Sequence, residues 1–311
     1  MNDPADVLDP GSFRMLDAIA RAGSFAGAAR ELGLVPSALT YRVRQIEDAL
    51  DVLLFDRSSR QARPTPAGAE LLAEGGRLKR EVDAVVRRVK RVATGWEPEL
   101  RTPAAGGTAH APLTALCCAF SDSAPPTRLS LREEILSGTL AALTDGEADL
   151  ALGVTLEPAS TAGLRARPLG RARFVYAVAP DHPLAQATEP IGDAELLHHR
   201  AIVIADSARD HRSRSFGLLA GQPTFTVSSL QAKLDAQLRG LGAGFLPEAL
   251  ARPHLQAGRL VARRIERGSY GATLHYAWRA SAVPGRALSW WLERLERPVT
   301  RRALLEGRAS V

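Results

Sequence analysis

Ser37, Thr40, Tyr41 and Arg44 are the residues of this sequence best suited to touch a polyanion. Two hydroxyls, a phenol and a guanidinium can donate to phosphate oxygens and read base edges in a DNA major groove. At about 100° per residue, their spacing gathers them on one side of an α-helix. Leu39, Val43, Ile46 and Leu50 follow 4-3-4 spacing on the opposite side, the pattern of a buried stripe. Pro36 suits the first helical position, so a helix is predicted over residues 36–50. A solvated polar face is the plainer alternative, yet this face lacks the lysine–glutamate padding of such surfaces. A second basic group follows, with Arg57, Arg60 and Arg63 within seven residues. Residues 53–55 read as a short strand, 56–60 as a turn and 61–63 as a return strand. Arginines on such a β-wing suit phosphate contacts or a reach into the minor groove. A solvated turn is the plainer reading here too.

Other elements must hold these groups in place. Asp9-Pro10 starts a helix with a capping carboxylate and a proline in the first turn. Phe13, Leu16, Ile19 and Ala20 share one face of it, and Gly23 stops it. Ser24 caps a second helix over 25–32, in which the small Ala28-Ala29 pair lets another helix cross closely. Gly33-Leu34-Val35 is then a tight turn into the helix at Pro36.

These residues resemble a known family. The runs Ser24-Phe25-Ala26-Gly27-Ala28-Ala29-Arg30-Glu31-Leu32-Gly33 and Pro36-Ser37-Ala38-Leu39-Thr40 are similar to the N-terminal signature of LysR-type regulators. Ile46-Glu47, Leu50, Leu54-Phe55-Asp56-Arg57 and Thr65-Pro66-Ala67-Gly68 continue the likeness. The resemblance implies a winged helix-turn-helix whose recognition helix opens at Pro36-Ser37, with Arg57 as a phosphate contact at the wing base. Thr40 stands where the family usually has serine. Tyr41 stands where arginine is common, so base preference does not carry over.

Thr65 and Pro66 form the cap and first turn of a long helix reaching about residue 95. Leu71, Leu78, Val82, Val85, Val89 and Val92 make a seam along it. Gly75-Gly76 weakens an isolated helix by about 1 kcal/mol per glycine, so the helix needs a partner. That partner is either its own domain or a symmetry mate. The resemblance to the family's dimerising linker helix implies the mate, with two recognition helices on one DNA face.

Gly95-Trp96-Glu97-Pro98 breaks the helix, and residues 96–101 read as a hinge. Beyond it strand and helix patterns alternate, the signature of an α/β domain. Strands are expected at 128–132, 149–154, 174–179, 201–205, 224–227 and 274–278, and helices at 113–120, 137–144, 193–197, 230–238 and 287–295. Gly146-Glu147-Ala148-Asp149-Leu150, Ala179-Pro180-Asp181-His182-Pro183-Leu184, Leu241-Gly242-Ala243-Gly244-Phe245-Leu246-Pro247 and Gly258-Arg259-Leu260-Val261 resemble pieces of the LysR effector domain. The segment at 179–184 matches the family's crossover into the second lobe. The expected organisation is therefore a winged helix-turn-helix at 9–64, a linker helix at 65–95, a hinge at 96–101 and an effector domain at 102–300. The resemblance implies two Rossmann-like lobes of the periplasmic-binding-protein type, about 102–172 with 274–300 and about 173–273. A small-molecule effector would lie in the crevice between them. The fold class is α/β with an N-terminal domain rich in α-helix.

One segment departs from the family. Residues 102–110 have loop chemistry and poor strand propensity, so the first strand of lobe one is expected to be short, irregular or absent. Crevice candidates are Thr155, Asp206, Ser207, Ser228 and Ser229. Helix N-termini favour anions, which makes a carboxylate effector a reasonable expectation. Each of these residues serves equally well as a structural cap.

The net charge of +6 is not placed on the DNA-reading end, where eight Arg/Lys through residue 64 meet nine Asp/Glu. The excess lies between Arg252 and Arg308. Local placement therefore carries the DNA reading. No run of about 18 uncharged apolar residues suggests a membrane span. The acidic N-terminus lacks a signal-peptide core, so a cytoplasmic protein is expected. Cys117 and Cys118 are adjacent and read as small buried hydrophobes. His198, His199 and His211 lie near Asp206 and Asp210 without metal-ligand spacing, and no cofactor or metal is expected. No phosphate loop, Gly-x-Ser-x-Gly or Cys–His pair is present, so no enzyme is expected. A receptor or enzyme without DNA function would leave residues 9–95 unexplained. The expected partners are double-stranded DNA, a small-molecule effector, further copies of the chain in a dimer or tetramer, and RNA polymerase.

Overall fold

The computed structural model describes residues 4–56, 61–123, 125–156, 163–208, 217–280 and 283–307. Two compact units emerge, residues 1–86 and 87–311. In the first, a short α1 (Pro4–Val7) precedes α2 (Pro10–Ala22), α3 (Phe25–Leu32) and α4 (Pro36–Leu50). Local chemistry sets their ends. The Asp9 carboxylate accepts from the Ser12 N–H at 2.6 Å, and Ser24 Oγ accepts from the Gly27 N–H at 3.1 Å. Gly33 ends α3 at φ +67°, a left-handed conformation that glycine adopts without Cβ strain. Leu16, Ile19, Ala28, Leu39, Val43 and Ile46 form the core of this unit.

A two-stranded antiparallel ribbon follows, β1 (Phe55–Asp56) paired with β2 (Arg63–Pro64). The wing strands thus each begin two residues later than expected. Buried Glu47 on α4 accepts from the Leu54 N–H at 2.9 Å and the Phe55 N–H at 3.4 Å, so one carboxylate ties the end of α4 to the ribbon. α5 (Pro66–Thr94) starts where Thr65 Oγ1 accepts from the Gly68 N–H at 3.0 Å. A Cβ on Gly68 would stand 2.0 Å from the Leu54 carbonyl oxygen, and one on Gly75 would stand 2.3 Å from the Phe13 ring. Gly75, one of the two glycines that weaken an isolated helix, is thus a surface on which this one docks, whereas a Cβ on Gly76 would meet only Arg80 of the same helix, at 3.5 Å. The seam therefore divides: Leu71 packs against the core of its own unit, whereas Leu78, Val82, Val85, Val89 and Val92 are exposed.

The second unit is α/β. Its strands are β3 (Glu99–Ala105), β4 (Arg128–Glu134), β5 (Leu150–Val154), β6 (Leu164–Val178), β7 (Ala201–Ile204), β8 (Thr224–Val227), β9 (Gly244–Pro247), β10 (Val261–Arg263) and β11 (Tyr270–Arg279). Among the described residues they form a mixed seven-stranded sheet in the order β10-β6-β11-β5-β3-β4, with β9 also on β6, and a parallel β7-β8 pair. The helices are α6 (His110–Asp122), α7 (Gly138–Thr144), α8 (Asp193–Leu196), α9 (Leu230–Leu238), α10 (Glu248–Gln256), α11 (Arg286–Glu296) and α12 (Pro298–Glu306). Trp291, Tyr276, Leu100, Leu150 and Leu152 anchor the largest core.

Two expectations are corrected here. The strand thought short, irregular or absent is β3, seven residues long and paired in parallel with β4 on one side and β5 on the other. Its weak propensity is overridden by burial of Leu100, Thr102 and Ala104, and by Asp149, which accepts from the Arg101 N–H at 2.9 Å and from its guanidinium at 3.0 and 2.8 Å. β6 carries two sets of partners along its length, and residues 179–184 follow its end. Residues 164–174 of β6 pair with β11, and residues 174–178 pair with β9 and β10. Finally, Cys117 is half-buried but Cys118 is exposed, because adjacent residues on a helix lie about 100° apart. His211 and Asp210 lie outside the described residues.

Candidate nucleic-acid interface and ligand cavity

On α4 the apolar stripe is buried: Leu39 and Val43 are sealed, and Ile46 nearly so. Opposite it, Pro36, Ser37 and Arg44 are exposed, Tyr41 is 63 % exposed and Thr40 is half-buried. Thr40 Oγ1 donates back to the Pro36 carbonyl at 2.9 Å, which orients its side chain along the helix. Gln45 Nε2 donates to the Tyr41 hydroxyl at 3.2 Å. Gln45 is thus a further polar group on this surface, recognisable in sequence only by its i+4 relation to Tyr41. Arg63 is exposed on β2, opposite Asp56. Arg57 and Arg60 lie outside the described residues.

The second feature is a cavity of about 600 Å³ in the α/β unit. The β3–α6 turn at Gly106-Gly107, the α7 approach at Ser137 and the end of β5 at Thr155 line it from one lobe. β7, α9 and β9 line it from the other, with Phe174 and Tyr270 on the shared strands. Of the five crevice candidates, Thr155 reaches this lining. Asp206 and Ser207 instead join the lobes: Ser137 Oγ donates to Asp206 Oδ2 at 2.5 Å, and Ser207 Oγ donates to Glu134 Oε2 at 2.5 Å. Ser229 Oγ caps α9 by accepting from the Ala232 N–H at 3.1 Å, and Ser228 is exposed. The one charged side chain lining the cavity among the described residues is Lys233, which was not among the candidates. It is 6 % exposed, and burial pushes its ammonium down to about 8. The sequence signal was available: Lys233 falls three residues after Leu230 and four before the buried Gln237, within the inward stripe of α9.

Among the described residues no group of His, Cys, Asp and Glu could hold a metal ion, and no helix is long and apolar enough to cross a membrane.

Known proteins share this arrangement. The family described as "Bacterial regulatory helix-turn-helix protein, lysR family" matches residues 11–69, and "LysR substrate binding domain" matches residues 93–298. The chain is 36% identical over 287 residues to the "Probable HTH-type transcriptional regulator YhaJ" of Escherichia coli (strain K12), covering 91% of this chain and 94% of that protein. It is 34% identical over 281 residues to the "Uncharacterized HTH-type transcriptional regulator YeeY" of the same organism, covering 90% and 91%. In fold it is similar to full-length CbnR, solved as a complex with its target DNA, with a TM-score of 0.61 at 20% identity, covering 94% of this chain and 100% of that one. The chain belongs to the LysR family, and it is a transcription regulator rather than an enzyme, with a helix-turn-helix DNA-binding domain ahead of a substrate-binding domain.

Proposed function

We propose that α4 enters the major groove of an operator, with Ser37, Thr40, Tyr41 and Arg44 at base edges and phosphates and Pro36 at the entry point. The supporting observation is the division of α4 itself: its apolar stripe is sealed while Tyr41 and Arg44 stand in solvent. Arg57, Arg60 and Arg63 supply wing contacts to phosphates or the minor groove. The exposed seam of α5 takes a second copy of the chain, since a stripe of valines left in water has no other use on this helix. Pairs of such dimers would form the tetramer of the family precedent, and RNA polymerase would be the partner through which binding acts. The working compartment is the cytoplasm, where the chromosome lies. A small-molecule effector occupies the 600 Å³ cavity, which falls in the size range of ligand sites. Its binding shifts the lobes between arrangements and so changes how the oligomer engages or bends DNA.

Gel-shift titration at fixed salt tests the reading. Arg63→Ala is expected to weaken binding to all sequences by a similar factor. Tyr41→Ala is expected to change the preference among operator variants, by about 1–3 kcal/mol at one base step. If neither differs from the wild type, the assigned surface is wrong.

A further inference from the structure

Lys233 presents an electrostatic problem. Its side chain is nearly sealed, and among the described residues its ammonium has no hydrogen-bond or ion-pair partner. An isolated buried charge is among the most costly groups a fold can carry, and a merely structural lysine would be paired. Packing alone would be served as well by methionine. The cavity wall supplies no counter-ion either, since none of the described lining residues is Asp or Glu. What it does supply is an apolar, aromatic surface. Phe174 and Tyr270 stand 5.2 Å apart between ring centroids, and Phe245 lies 6.2 Å from Tyr270. Leu230, Leu274 and Ile135 extend this surface, with the Thr155 and Ser137 hydroxyls among the few polar groups.

We propose that Lys233 is the counter-charge for one chemical class of effector, a small monocarboxylate carried on an apolar ring-like body. The inference rests on the reading of the cavity as the effector site and adds the identity of its recognising group. A monoanion matches a single cation. A dianion would leave one charge against phenylalanine and leucine, and a neutral ligand would leave Lys233 unpaired. Lys233 also borders a void of about 10 Å³ beside Tyr176 and Gln222, room for one water. Were that water its only purpose, the main cavity would not distinguish an acid from its amide.

Calorimetry on the full-length chain tests this with benzoate, phenylacetate, salicylate and 4-methylpentanoate, each against its amide, and with inorganic phosphate. At least one acid is expected to bind ten times more tightly than its amide and than phosphate. Lys233→Met is expected to lose that preference while unfolding at a higher temperature than the wild type, because the unpaired charge is gone. Lys233→Arg keeps the charge and is expected to retain a preference for acid over amide. The proposal is overturned if no acid is preferred over its amide, if phosphate binds as well, or if Lys233→Met keeps the preference. It is also overturned if Lys233→Met melts below the wild type, the signature of a structural lysine. DNA affinity of Tyr41→Ala tests the regulator reading separately, so either can fail without the other.

Discussion

α4 and α9 are both amphipathic helices that carry polar side chains, and they carry them in opposite ways. On α4 the polar residues stand across from the apolar stripe, in water. On α9 Lys233 stands inside the stripe, against the interior. The first arrangement obeys helical periodicity and is visible to anyone who draws the wheel. The second violates it, and the violation is the signal. A surface that meets DNA can be assembled from consecutive turns of one helix. A cavity that meets a small molecule is assembled from β3, β5, β6, β7, α9, β9 and β11, whose meeting is decided by the sheet.

The largest expected effect tests whether the two regions stand or fall separately. Gly68→Val would drive a side chain into the Leu54 carbonyl, a backbone atom that cannot yield without moving the wing. The expected loss is about 3 kcal/mol or more, confined to residues 1–86. The chain offers a clean reporter, since its four tryptophans, Trp96, Trp278, Trp290 and Trp291, all belong to the second unit. Tryptophan fluorescence should therefore melt as in the wild type while operator binding disappears. A tryptophan transition that falls with Gly68→Val would show that the units unfold together.

Next comes the charge on α9. Burial lowers the folded-state value of Lys233 to about 8 from an ordinary 10.5. Between those values the unfolded chain holds more protons than the folded one, so stability rises with pH through that window. The full span corresponds to about 3 kcal/mol, at 1.36 kcal/mol per unit. The other titratable groups lining the voids beside Lys233 are the Tyr176 and Tyr270 phenols, which burial pushes up. Those phenols ionise more readily once unfolded, so they oppose the trend above about pH 10. Urea midpoints read by tryptophan fluorescence should climb from pH 8 to pH 10 in the wild type relative to Lys233→Met, in which the Cys117 thiol, pushed up by burial, gives a slight fall instead. A wild type that tracks the variant would mean that Lys233 is solvated.

A somewhat smaller effect concerns the segment between the two regions. Glu97 is buried, and its carboxylate accepts from the Gly285 N–H at 2.7 Å, the Ala287 N–H at 3.1 Å and the Leu288 N–H at 3.4 Å. It thus caps α11 from the far end of the sequence, favoured by the helix dipole. Glu97→Ala should cost about 2 kcal/mol in the tryptophan transition, because three buried donors lose their acceptor. Residues 96–101 were expected as a hinge, yet Glu97 is a fixed point and β3 begins at Glu99. An unchanged midpoint would return flexibility to this segment.

How much could be read in advance follows from what is local. Asp9, Ser24 and Thr65 were legible as caps because a cap is settled by three or four consecutive residues. β8 and α9 were placed to the residue, since both are bounded by turn or capping residues. β3 was misjudged because Thr102-Pro103-Ala104-Ala105 has no propensity of its own and becomes a strand through Asp149, 48 residues away from Arg101. Among the crevice candidates, Thr155 was found from its place after a strand. Asp206 and Ser207 had the same credentials but meet a loop of the other lobe, a juxtaposition with no trace in local sequence.

That juxtaposition supplies the smallest effect and the sharpest contrast with Lys233. Ser207 Oγ donates to Glu134 and accepts from the Ile135 N–H at 2.9 Å, while a Cβ on Gly138 would stand 1.9 Å from Ser207 Oγ. The lobes are therefore held together here by polar contacts, without a buried charge. Ser207→Ala leaves an N–H and a carboxylate that water can reach, so it should cost about 1 kcal/mol in stability. Because the contact joins the lobes rather than lining the cavity, the variant should keep the acid-over-amide preference and alter carboxylate affinity less than threefold. Calorimetry with the tightest-binding acid decides the matter. If Ser207→Ala abolishes that preference as fully as Lys233→Met, the hydroxyl touches the ligand and recognition is shared between two groups. If it does not, Lys233 selects the ligand and the serine only sets how readily the lobes part.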